Sequence, residues 1–294
     1  MNLASDSSAS RRSDNADSRD QWETGLAADQ ERSYLEELLD GALERGELSL
    51  YYQPQFELPT GRMVGSEALL RWKHPSYGMI SPSRFIPIAE ECGLIVPIGT
   101  WALEEACRQN RLWQQAGYDP IRIAVNISAQ QFAQVDFIRL VAKVLANSGL
   151  EPRYLELELT EMVLTRNVQV SSPRLGHLKS LGISLSMDDF GNEAFSLGDL
   201  VRLPVDALKI DVPFVHDMNK PGTLRLVHAI LALGHSLGMS VTAEGVETQE
   251  QLGQLRHFGC DKAQGYLFSA AVSADASEAY QSLITEPSVR GEPL

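Results

Sequence analysis

Cysteine is scarce in this chain. Its 294 residues contain three, Cys92, Cys107 and Cys260, scattered without a CxxC pair or a Cys/His spacing. That pattern leaves no ligand set for a structural zinc and fits a reducing compartment, where the three read as buried small hydrophobes. Histidine offers no metal site either, because none of the six stands beside another at ligand spacing. Positive charge is in deficit, with 25 basic residues against 39 acidic ones and a formal net charge of −14. Such a balance argues against duplex DNA, or any nucleic-acid polymer, and against an anionic membrane surface, since these partners are themselves polyanions. A phosphate-bearing ligand would need cations to mediate. No segment reaches the roughly 18 consecutive apolar residues that span a bilayer, and the N-terminus lacks a basic-then-apolar secretory pattern. No membrane insertion is therefore expected, and a soluble, cytoplasmic protein is.

Apolar residues are plentiful, at 44%, so a large core can form. Single barrel domains often run to about 250 residues. Residues 1–28 are rich in Ser, Asp and Arg and cannot repay ordering entropy, which predicts a disordered tail. Tyr34, Leu35, Leu38, Leu39 and Leu43 then recur at helical spacing among charges, which predicts an amphipathic lead-in helix within 29–46. It reads either as a cover for one end of the main domain or as a signalling helix from an upstream sensor. The main domain is expected over 47–284, with a C-terminal tail at 285–294.

Eight strand patterns follow: Leu48 to Phe56, Met63 to Trp72, Ile121 to Ile127, Tyr154 to Thr160, Ile183 to Met187, Ala207 to Ile210, Ser240 to Ala243 and Lys262 to Leu267. Helical stretches lie between most of them, at Thr100 to Ala116, Asp136 to Asn147, Ser172 to Leu181, Gly222 to Leu237 and Thr248 to Phe258. This alternation predicts an α/β fold, a TIM-barrel-like (β/α)8. Only Glu57 to Arg62, with Pro59-Thr60-Gly61, joins the first two strands. That is too short for a parallel crossover, so one strand near the N-terminus should run antiparallel.

Isolated acids and amides stand where these strands end: Glu67, Asn126, Glu158, Asp188, Asp189, Glu244 and Gln264. They are too polar for a core unless something compensates them. In a barrel the C-terminal ends of parallel strands converge on one mouth, where catalytic residues collect. Oxygen ligands in this number, without His or Cys, suit Mg2+ or Mn2+. Taken singly each acid reads as a solvated loop or cap residue, and Lys209 as a surface lysine; Glu156, Glu193 and the histidines keep that structural reading. Trp72, Trp101 and Trp113 read as packing residues.

The ordered set of motifs carries a resemblance. Tyr52-Gln53-Pro54, Glu67-Ala68-Leu69-Leu70-Arg71-Trp72, Phe85-Ile86-Pro87, Val125-Asn126-Ile127-Ser128, Glu158-Leu159-Thr160-Glu161, Asp188-Asp189-Phe190-Gly191, Leu208-Lys209-Ile210-Asp211, Ala243-Glu244-Gly245-Val246-Glu247 and Gln264-Gly265-Tyr266 resemble, in order from about 48 to 270, the signature blocks of the EAL domain family. The resemblance implies a metal-dependent phosphodiesterase that opens cyclic di-GMP to linear pGpG. It further implies that Glu67, Asn126, Glu158 and Asp188 hold one cation, that Asp188, Asp189 and Glu244 hold a second, and that Lys209 lies near the attacking water. Gln53, Glu67, Leu69, Arg71 and Gln264 would meet the substrate, Gln264 and Glu247 would orient ligands from behind, and Glu161 would anchor the loop after Gly191. Trp72 would help to place Arg71.

Two segments depart from the family pattern. Asn192-Glu193-Ala194-Phe195-Ser196 stands where the family usually has Thr-Gly-Tyr-Ser-Ser, and Ser269-Ala270-Ala271 lacks the usual proline. Loss of the glycine removes backbone freedom at a turn. A catalytically weak cyclic di-GMP receptor is therefore a second reading beside the enzyme; a sugar-acting barrel with a carboxylate pair leaves the amide, the lysine and the acidic doublet unexplained. The resemblance also implies a homodimer, so light scattering at micromolar concentration is expected to return the mass of two chains; a fully active monomer would remove that implication.

Overall fold

The computed structural model describes residues 32–165, 168–191 and 197–278. Two compact units are distinguished, one comprising the chain up to Leu48 together with Trp72–Leu94, the other Ser49–Arg71 together with Ile95 onward.

The first unit contains helix α1 over 32–39, followed by turns over 40–46. Its Leu35 and Leu39, two of the residues at helical spacing, are buried. Glu47 is also buried, and its Oε2 accepts a hydrogen bond of 3.0 Å from Trp72 Nε1 while Oε1 accepts one of 2.7 Å from Arg45 Nε. These donors satisfy a carboxylate that would otherwise be costly to bury. Trp72 packs edge to face on Phe85, at 5.6 Å between centroids. Phe85 belongs to a helix that the periodicity did not reveal, α2 (Pro82–Glu91), which starts with proline in its first turn.

The second unit is a closed barrel. Its strands are β1 (Leu48–Glu57), β2 (Met63–His74), β4 (Arg122–Asn126), β5 (Leu155–Thr160), β6 (Ser184–Phe190), β7 (Ala207–Ile210), β8 (Ser240–Ala243) and β9 (Lys262–Ala263). From β2 through β4 to β9 all neighbours are parallel, in chain order. β1 closes the ring, pairing with β2 and running antiparallel to β9. The expected hairpin and its reversed strand are thus present. Within the first unit, Trp72–His74 of β2 pair antiparallel with a short strand, β3 (Gly78–Ile80), that was not expected.

Helices α3 (Ile95–Gln115), α4 (Phe137–Ser148), α5 (Val168–Ser180), α6 (Pro221–Ser236) and α7 (Gln249–His257) fall where the periodicity places them. Alternation along the strands decides what faces where. In β5, Leu155, Leu157 and Leu159 are fully buried in the apolar core, while Glu156 and Glu158 take the other face and are buried as well. Glu156 is matched by Arg122, at 3.1 Å, which supports its structural reading.

The structure departs from expectation in three further places. β6 runs on through Asp188 and Asp189, so the acidic doublet is part of the strand and not a turn after it. β9 ends at Ala263, which leaves Gln264 just beyond it. Cys107 and Cys260 are buried as expected, but Cys92 is exposed, because it lies one residue past the end of α2. Among the described residues no helix is long and apolar enough to cross a membrane.

Leu157 is wholly buried in the core, so Leu157→Ala is expected to lower the unfolding free energy by about 2–5 kcal/mol. Val170 is 55% exposed, and Val170→Ala should change it by less than about 0.5 kcal/mol. Urea titration of both variants checks the contrast, and equal losses would overturn this assignment of the core.

Candidate active site

Six of the seven acids and amides singled out from the sequence, with Lys209, meet in one cluster. Lys209 is the third of the four residues of β7, and its side chain is 1% exposed. Its ammonium lies 2.6 Å from Glu244 Oε1, 2.7 Å from Glu158 Oε2, 3.3 Å from Asp188 Oδ1 and 3.5 Å from Glu67 Oε2. Four carboxylates, from β2, β5, β6 and the residue after β8, therefore share one ammonium.

The amides complete the frame. Asn126 donates from Nδ2 to Glu67 Oε1 at 2.7 Å, and Gln264 donates from Nε2 to Glu67 Oε2 at 2.6 Å and to Glu244 Oε1 at 3.1 Å. Register explains part of this convergence, because Asn126 pairs with Glu158 across β4 and β5, and Thr160 with Asp188 across β5 and β6.

Placing the acidic doublet takes a local irregularity. Met187 pairs with Leu208 and Phe190 with Ile210, so Asp188 and Asp189 together oppose the single residue Lys209. This is a β-bulge, which breaks strict alternation and re-aims side chains. Asp189 has φ 56°, and among the described residues no other non-glycine has a positive φ. Aspartate tolerates that left-handed conformation better than most residues. Its backbone N–H donates to Asp188 Oδ1 at 3.0 Å, which holds the carboxylate toward Lys209.

Electrostatics follow from this crowding. Burial pushes the Lys209 ammonium down, but Asp188, Glu158, Glu244 and Glu67 outweigh it and hold its pKa well above the usual value. Burial pushes Glu67 up, yet Lys209 and the amides of Gln264 and Asn126 bring it below the usual carboxylate range. Glu158 rises well above that range, from burial and then from repulsion by Glu67. Asp188 also rises, through burial, with Lys209 opposing. Burial drives Glu244 to about 8, against the pull of Lys209. Asp189, only half-buried, rises to about 6 through burial and then the charges of Asp188 and Asp211. One ammonium does not neutralise this many buried carboxylates.

A divalent cation fits that deficit. Glu158 Oε1 is buried and has no hydrogen-bond partner among the described residues, an orphaned acceptor that a cation would satisfy. The donor set is all oxygen, which suits Mg2+ or Mn2+. Among the described residues no three acidic, imidazole or thiol groups already stand at ion-ligating spacing, the carboxylates being turned onto Lys209.

Other expected site residues stand around the cluster. Gln53 is half-buried and donates to the Ser269 carbonyl at 3.2 Å. Leu69 and Arg71 follow Glu67 on β2, both half-buried; the Arg71 guanidinium lies 5.5 Å from the centre of the Tyr51 ring, and burial lowers its pKa. Glu161 is buried and accepts from Gly191 N–H at 2.9 Å, an anchor immediately before 192–196, which lie outside the described residues. Glu247 is exposed, and its carboxylate faces His216 at 3.4 Å. Sequence reasoning missed Gln55, a buried amide that donates from Nε2 to Gln264 Oε1 at 2.8 Å. The available signal was its spacing, two residues from Gln53 and so on the same face of β1.

The EAL domain family model matches residues 36–271. The chain belongs to the EAL domain family. It is 44% identical over 247 residues to the bifunctional diguanylate cyclase/cyclic di-GMP phosphodiesterase MucR of Pseudomonas aeruginosa, covering 84% of this chain and 36% of that protein. It is 42% identical over 249 residues to the cyclic di-GMP phosphodiesterase NbdA of the same species, covering 84% of this chain and 32% of the relative. The EAL domain thus spans about a third of the length of these curated relatives. A solved structure of the MucR phosphodiesterase in complex with c-di-GMP is similar at a TM-score of 0.81 and 44% identity, covering 83% of this chain and 99% of that one.

Removing the central charge should leave uncompensated carboxylates. Lys209→Met, unfolded by urea with chelator present, is expected to be about 3–5 kcal/mol less stable than the parent, the usual scale for breaking a buried charge pair. An unchanged unfolding free energy would show that the carboxylates do not depend on Lys209.

Proposed function

We propose that this EAL domain hydrolyses cyclic di-GMP to linear pGpG in a divalent-cation-dependent reaction. The observation that carries the proposal is the convergence of Glu67, Glu158, Asp188 and Glu244 on Lys209. The 44% identity to a phosphodiesterase solved with c-di-GMP supports the choice of substrate.

Glu67, Asn126, Glu158 and Asp188 hold one cation, and Asp188, Asp189 and Glu244 the second, with Mg2+ and Mn2+ both suited. When bound, such a pair supplies Lewis acidity that activates water and offsets charge on the attacking and leaving oxygens of an in-line displacement. The remaining work falls to the chain itself. Asn126 and Gln264 orient Glu67 by donating to its two oxygens, which leaves its charge intact for binding. Lys209, held charged by its acids, stabilises negative charge that develops beside it or gives up its proton in a transfer step. Asp189, half-buried at the bulge, is placed to take a proton at its carboxylate. Arg71 offers a planar fork of donors to a phosphate, and Gln53 and Leu69 complete the substrate side. Glu161 keeps Gly191 in place through its backbone N–H.

The altered sequence Asn192 to Ser196 gives the receptor reading its support, and one experiment separates the two. Purified protein is incubated with cyclic di-GMP and Mg2+, Mn2+ or chelator, and the products are resolved by chromatography. Metal-dependent formation of pGpG is expected, and Glu67→Ala should reduce it by more than the roughly 100-fold that outer partners of a metal site carry. Binding of cyclic di-GMP without turnover would replace the enzyme by the receptor, and near-normal hydrolysis by Glu67→Ala would refute the ligand assignment.

A further inference from the structure

Gln55 is 4% exposed, the eighth of ten residues of β1, the reversed strand that closes the barrel. Its Nε2 donates to Gln264 Oε1 at 2.8 Å, and Gln264, also 4% exposed, donates from Nε2 to Glu67 Oε2 at 2.6 Å and to Glu244 Oε1 at 3.1 Å. The chemistry forces the orientation of this chain of bonds. A primary amide donates from one end and accepts at the other, whereas an ionised carboxylate only accepts. With the ionised Glu67 at one end of Gln264, its nitrogen must face that carboxylate and its oxygen must face away. The oxygen is then buried and needs a donor, which Gln55 supplies.

The surroundings reserve the space for that donor. A Cβ on Gly65 would stand 2.7 Å from Gln55 Oε1 and 3.3 Å from the Arg122 carbonyl. Glycine within a strand marks such close approaches. The bonds also run across the antiparallel seam of the barrel, since Glu67 is on β2, Gln55 on β1, Gln264 just after β9 and Glu244 just after β8.

We propose that Gln55 is a positioning residue for the active site: it locks the amide of Gln264 so that both N–H groups hold Glu67 and Glu244 in the orientation that takes up divalent cations. Gly65 serves the same end by leaving room for Gln55. The inference rests on the cation-dependent reading given above. Without Gln55, Gln264 loses the bond that fixes its oxygen, and an amide free to turn over presents that oxygen to two carboxylates.

The test uses the full chain with Mn2+ alone as probe. Calorimetric titration is run on the parent, Gln55→Met, Gly65→Ala, Gln264→Met and the Gln55→Met/Gln264→Met double variant, with melting temperature in chelator as the control for folding. Gln55→Met and Gly65→Ala are each expected to weaken Mn2+ binding about 10–100-fold, the range for outer partners of metal ligands. In the Gln264→Met background, Gln55→Met should add less than about twofold, because residues acting through one link are not additive. Parental affinity in Gln55→Met, or independent losses that multiply in the double variant, overturns the proposal. Should Gln55→Met fail to fold, Gln55→Glu has the same shape but no donor when ionised, and the same loss is expected. A parent that binds no Mn2+ would instead defeat the cation-dependent reading itself.

Discussion

Charge balance around Lys209 is the constraint on which the rest of the site depends. One ammonium, 1% exposed, lies 2.6–3.5 Å from four carboxylates. In water such a cluster would be screened and weak, but burial raises both its strength and its cost. Burial pushes Glu158 and Asp188 upward and Glu244 to about 8, the mark of a site with too little positive charge of its own. Glu67 alone of the four is held below its usual range, because Lys209, Gln264 and Asn126 all favour its ionised form. The acid best supplied with donors is therefore the best preformed anion, and its neighbours are the ones that gain most from an added cation.

The barrel makes this concentration of charge possible. Parallel strands deliver one or two polar groups each to a common end, and the leucines and valines on their other faces bury the apolar surface that holds the ring closed. Two irregularities finish the site. The bulge at Asp188 and Asp189 sets two acids against one lysine, and β1 closes the ring in reverse, carrying Gln55 to the gap between β2 and β9. A regular sheet would offer neither the acidic pair nor the amide seam.

The altered segment Asn192 to Ser196 follows directly on Gly191, whose N–H is held by the buried Glu161. The segment thus follows a fixed point, with the carboxylates and Lys209 already placed by the strands.

Strand and helix alternation, the short Glu57 to Arg62 link and the polar strand ends were readable from local pattern, because period-two and period-3.6 spacing are properties of the chain alone. Hence the α/β barrel, the reversed strand and the convergence of Glu67, Asn126, Glu158, Asp188, Lys209, Glu244 and Gln264 were expected from sequence. Three features were not. Cys92 is exposed because it lies just past the end of α2, itself hidden by Pro87 and a short periodic run. The strand pattern stops at Met187, before Asp188-Asp189, because nothing local distinguishes a bulge from a strand end. Gln55 looked like any strand amide until Gln264, 209 residues away, was seen to accept from it. The sequence by itself determined which groups carry charge and on which strand face they fall; only the tertiary structure decided which carboxylate meets which donor, because those distances depend on register and ring closure, which no local pattern encodes.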